Sequence, residues 1–166
     1  MEFIQHTIEW CRGEIFEGKL SILFGIVILL ASLGYWKFGS TDAAKAMFVP
    51  LLMVALLSIA IGAYLIQANS KRITHYTEQF EQTPAEFILS EQERTAAFIK
   101  WYPYTQYILF GLGILAMLCL ILSNKPLLRA IGIALLLLVL YMFTLDHFSE
   151  ERAYKYRREI TKQLES

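Results

Sequence analysis

The sequence predicts an all-α integral membrane protein: a four-helix bundle of two helical hairpins, with amphipathic helices on the cytoplasmic side. Three observations carry this. The 166 residues are 56% apolar and only 18% charged, too apolar for an ordinary water-soluble domain. The apolar residues gather in four blocks, 20–38, 47–67, 105–123 and 127–146, each near the roughly 17–25 residues that cross the hydrocarbon as a helix. Short turn or cap sequences join the blocks of each pair, whereas a long polar segment, 70–104, separates one pair from the other.

Residues 1–19 read as an amphipathic helix on or just under the membrane surface. Ile4, Ile8, Cys11 and Ile15 recur at the helical period, with Phe3 and Trp10 at the flank and Gln5, Glu9 and Arg12 opposite. The first span, 20–38, is too long for a signal-peptide core and lacks a small-residue cleavage site, so it is expected to be retained. It ends in Tyr35, Trp36, Lys37 and Phe38, an interfacial exit, and Gly39 is placed to close the helix. Ser40, Thr41 and Asp42 supply cap residues for the next helix, which Pro50 is expected to kink.

The central segment reads as two or three short helices. Ile73, Tyr76 and Phe80 carry the second span's helix onward, and then two capping-box spacings follow, at Thr83-Pro84-Ala85-Glu86 and Ser90-Glu91-Gln92-Glu93. Phe98, Trp101 and Tyr102 return the chain to the membrane, and Phe80, Phe87, Phe98, Trp101 and Tyr156 are the candidate interaction surface. Ser123-Asn124-Lys125-Pro126 is a tight turn between the last two spans. Residues 147–166 continue the fourth helix, with an apolar stripe of Ala153, Tyr156, Ile160 and Leu164.

Close helix approach is expected at Ser21 and Gly25, Ser58 and Gly62, Gly111 and Gly113, and Ala130 and Ala134. An Ile-Leu-Phe-Gly tetrapeptide recurs at 22–25 and 108–111, as a parallel duplication would leave behind. Lys and Arg crowd one side: Arg12, Lys19, Lys71, Arg72, Arg94, Lys100, Arg152, Lys155, Arg157, Arg158 and Lys162. The other side has Lys37, Lys45, Lys125 and Arg129. The positive-inside rule then places both termini and 70–104 in the cytoplasm, with a bacterial cytoplasmic membrane as the expected location.

Formal net charge is zero, and neither a basic surface nor a recognisable module supports nucleic-acid binding. Cys11 and Cys119 sit at different depths and form neither disulfide nor redox motif. The span centres carry no ionisable residue, which argues against ion-coupled transport; Ser32, Ser58, Tyr64, Tyr141 and Thr144 are expected to hydrogen-bond within and between helices. Each histidine has a glutamate three residues on: His6 with Glu9, His75 with Glu78, His147 with Glu150. On a helix each pair shares a face and offers ligands suited to a transition metal such as zinc, but a solvated His–Glu face is the favoured reading in segments this rich in glutamate. No cofactor is expected, and no nucleophile motif is present. The leading expectation is therefore a non-enzymatic protein that binds membrane lipid and a protein partner or further copies of itself, as subunit, adaptor or inhibitor. A small oligomeric channel and a metal-dependent surface enzyme are the alternatives.

Overall fold

In a computed structural model, which describes residues 2–165, the chain is all-helical and forms a four-helix membrane bundle. Six helices follow in order: α1 (Glu2–Phe38), α2 (Asp42–Ala46), α3 (Phe48–Gln82), α4 (Pro84–Ile99), α5 (Tyr102–Leu122) and α6 (Pro126–Glu165). Four stretches, Phe3–Phe38, Asp42–Gln82, Pro84–Leu122 and Pro126–Glu165, are long and apolar enough to cross a membrane.

The helices overrun the bilayer. α1 has 37 residues, roughly 55 Å at the helical rise, against a hydrocarbon core of about 30 Å. Its first turns do not lie along the surface as a separate helix; they continue the first span directly, because Phe3, Ile4, Trp10 and Cys11 are buried against α4 and α6. α6, with 40 residues, likewise passes unbroken from span to polar layer, burying Ala153, Tyr156 and Ile160 but leaving Leu164 exposed. Met1 and Ser166, the outermost residues of the two expected end segments, lie outside the described residues.

Local chemistry sets the breaks. Gly39 N–H donates to the Tyr35 carbonyl at 3.0 Å, closing α1, and Thr41 caps α2 by accepting from Ala44 N–H at 3.2 Å. The helix that starts at Asp42 is broken near Pro50. The interruption falls at Met47, three residues before Pro50, which occupies the first turn of α3, where a proline is tolerated. Pro84 opens α4, but Thr83 provides no side-chain cap. The second expected start fails: Ser90 is inside α4, its hydroxyl donating to the Phe87 carbonyl at 2.8 Å. Burial of Phe87, Ile88 and Glu91 on one face carries the helix straight through. At the last turn Arg129 donates to Ser123 O at 2.8 Å and to Asn124 Oδ1 at 3.0 Å, holding the α5–α6 hairpin shut.

Packing is closest between α1 and α3. A methyl on Gly18 would stand 2.8 Å from the Gly62 carbonyl, and one on Gly25 would stand 2.8 Å from the Ala55 carbonyl. Only glycine lets these backbones approach so far. Ser32 adds a hydrogen bond of 2.7 Å to the Phe48 carbonyl. The equivalent glycine of the repeated tetrapeptide, Gly111, faces open space; the α5–α6 approach is made by Gly132 against the Ala116 carbonyl. α6 joins the two hairpins, with Phe24 and Tyr141 stacked 4.2 Å apart and the Tyr141 hydroxyl bonded to Ser21. Ala130 and Ala134 are buried with Ile28, Leu51 and Val54 in the apolar core between the hairpins. Ser58 and Thr144 instead bond carbonyls of their own helices.

Candidate functional site

Beyond the apolar spans, the ends of α1, α3 and α6 meet α4 in a polar-surfaced layer with its own core. Phe3, Ile4, Trp10, Cys11, Phe87, Ile88, Tyr156 and Ile160 are buried there, flanked by Ile73, Tyr76, Phe80 and Phe98. α4 is amphipathic and packs one face, with Phe87, Ile88, Glu91, Thr95 and Ile99, against the other helices.

An ion pair stands inside this core. Arg94 donates from Nε and Nη2 to the two carboxylate oxygens of Glu91, both at 2.7 Å, and Glu91 is 2% exposed. The Tyr156 hydroxyl donates to Glu91 Oε2 at 2.7 Å and lies 2.8 Å from Thr7 Oγ1, tying α1, α4 and α6 together. The guanidinium lies over three rings: Trp10 at 4.5 Å, Tyr76 at 5.6 Å and Phe98 at 5.6 Å. Burial works against the Arg94 charge, but the hydrogen bonds to Glu91 outweigh it and hold the guanidinium pKa above its ordinary value. Burial and the Glu91 charge push the Tyr156 phenol up, so it stays a donor. Burial pushes the Cys11 thiol up to about 11, which leaves it protonated and inert.

A second polar cluster lies between this core and the first span. Arg152 of α6 reaches Glu14 Oε1 at 2.9 Å and Glu17 Oε1 at 2.8 Å. Ser149 donates to Glu14 at 3.1 Å and lies 3.0 Å from the Tyr102 hydroxyl. Room for the guanidinium comes from Gly13, whose added methyl would stand 2.6 Å from Arg152 Cδ and Nε.

The three His–Glu pairs occupy separate places. His6 lines a cleft of about 150 Å³ between α1 and α6, 3.9 Å from Glu9 and 4.0 Å from Glu159. His75 and Glu78 are exposed on α3, while His147 is exposed on α6 and Glu150 there accepts from Gln106 at 2.9 Å. Among the described residues no three His, Cys, Asp or Glu side chains gather into a group that holds a metal ion.

Of the five aromatic residues expected on an interaction surface, Phe87 and Tyr156 are buried in the chain's own core and Phe80 and Phe98 pack against it. Trp101 is 68% exposed, beside Tyr104 at the start of α5. The sequence reading missed Glu14, Glu17 and Glu91 as buried carboxylates, and Arg94 and Arg152 as their half-buried partners. One signal was available for Glu91 and Arg94: both fall on the α4 face that carries Phe87 and Phe98. No family model, curated protein or solved structure matches this chain.

Proposed function

We propose that this chain is a small multi-pass membrane protein that acts by binding other proteins, as a subunit, adaptor or inhibitor, through its extramembrane layer. The observation that supports this is the layer itself. Four helices are held there by a closed aromatic core with an internal ion pair, so their outer faces keep a fixed relation to one another. Those outer faces carry apolar side chains well beyond the spans: Leu89 on α4 is 52% exposed and Tyr154 on α6 is 44% exposed. Rigid surfaces with isolated apolar anchors and a charged surround suit protein recognition.

The Lys and Arg distribution supports a cytoplasmic position for this layer and for both termini. The test uses the full chain, solubilised gently and cross-linked in native membranes, beside Leu89→Glu and Tyr154→Glu variants. The reading requires a stoichiometric partner or a defined oligomer that either variant loses while the bundle stays folded. A wild-type protein that is monomeric and captures nothing defeats it.

A further inference from the structure

The Glu14–Arg152–Glu17 cluster has more negative charge than it can neutralise. One guanidinium serves two carboxylates on successive turns of α1. Glu17 is 4% exposed, and its Oε1, though within ion-pair distance of Arg152, makes no hydrogen bond; Arg152 Nε and Asp146 Oδ2 are also buried without a hydrogen-bond partner. A buried carboxylate without its full set of donors is costly, and the cheapest relief is uptake of a proton.

The surroundings leave few other remedies. On α1 the nearest charge is Glu14, a like charge. α6 offers Asp146, also negative, and Arg152, already shared. Glu150 is occupied by Gln106, and Tyr102 of α5 is engaged by Ser149. From α3, Gly62, Leu65 and Ile66 pack next to Gly18 and bring no charge there.

We propose that Glu17 is a proton-binding site that governs the clasp between α1 and α6. With the proton on Glu17, Arg152 is balanced by Glu14 and the two helices stay joined. When the proton passes to solvent, the added buried charge loosens the helices at this level. Glu17 precedes the unbroken apolar block 20–38, and burial, acting against the charge of Arg152, pushes its carboxyl up from 4.5 to about 7. The closed form thus retains a proton that the opened form gives up. The clasp is at full strength below pH 4.5, weakens as pH rises and has lost this contribution above about pH 7.

The experiment uses the full chain in lipid nanodiscs and two readouts. Infrared difference spectra between acid and alkaline buffer should show a protonated-carboxyl carbonyl band that disappears as pH passes about 7, and Glu17→Gln should lack it. Spin labels at Arg12→Cys and Tyr154→Cys, in a Cys11→Ala and Cys119→Ala background, should give a distance between α1 and α6 that lengthens and broadens over the same range. Glu17→Gln should keep the distance short throughout. Asp146→Asn, which spares the Arg152 bridge, should keep both signals but shift them toward acid. A band that persists in Glu17→Gln, or a distance indifferent to pH in the wild type, overturns the proposal.

Discussion

Arg94 grips Glu91 with two parallel hydrogen bonds of 2.7 Å inside an otherwise apolar core, so each residue is needed because the other is there. Replacing Arg94 with Met strands a carboxylate that is 2% exposed. We expect a loss of about 3 kcal/mol, visible as a lower unfolding midpoint and faster proteolysis of α4. Arg94→Met combined with Glu91→Leu should recover most of that loss, because the paired desolvation cost goes with the charges. A double variant no better than the single would show that the pair adds stability of its own.

The bridge from Tyr156 to Thr7 and Glu91 predicts a smaller effect. Tyr156→Phe keeps the ring stacked near Trp10 and Phe3 but leaves the buried Thr7 hydroxyl without its partner. A cost of about 1–2 kcal/mol in chemical unfolding is expected. Thr7→Val in the same background should add little, since the partner is already lost.

The glycines of the bundle are not alike. Gly18→Ala places a methyl against the Gly62 carbonyl of α3, a backbone atom that can move only with the helix, and should cost about 1–3 kcal/mol. Gly111→Ala meets nothing within 4 Å and should be neutral or slightly stabilising. The comparison is made by unfolding the two variants in the same detergent.

Cys11 reports on the layer without harming it. It is fully buried, and with a pKa of about 11 only about one thiol in ten thousand is ionised at neutral pH. Alkylation should be slow in the folded protein, faster in Arg94→Met and rapid in denaturant, as mass spectrometry of the Cys11 peptide would show.

How far these features could be read from the sequence follows from what kind of interaction makes them. The spans were legible because lipid rewards unbroken apolar runs, and the turns at Thr41 and at Ser123 to Pro126 because capping and reversal are local. The layer core was half legible. Tyr156 and Ile160 appeared as a stripe on one helix, and Ile73, Tyr76 and Phe80 on another. What covers a stripe is a long-range matter, so Phe87 of α4 and Tyr156 of α6 read as a surface although they share one core. Ser90 carried a start signal that tertiary burial overrode. Glu14, Glu17 and Arg152 were the least legible, because a charged residue on a surface helix and one on a buried turn are spelled alike. Only Gly13, holding open the space for Arg152, hinted otherwise.

The contact between Thr7 and Tyr156 spans 149 positions of chain. During synthesis the residues of α1, α3, α4 and α5 are therefore all made before the one that completes the α1 interface. Until then Phe3 and Trp10 lack their ring contacts with Tyr156, and the side of the aromatic core that α6 covers stands open. The long α6 thus sets the timetable of assembly: a chain stalled after its fourth span would sit correctly in the membrane and still be a target for quality control.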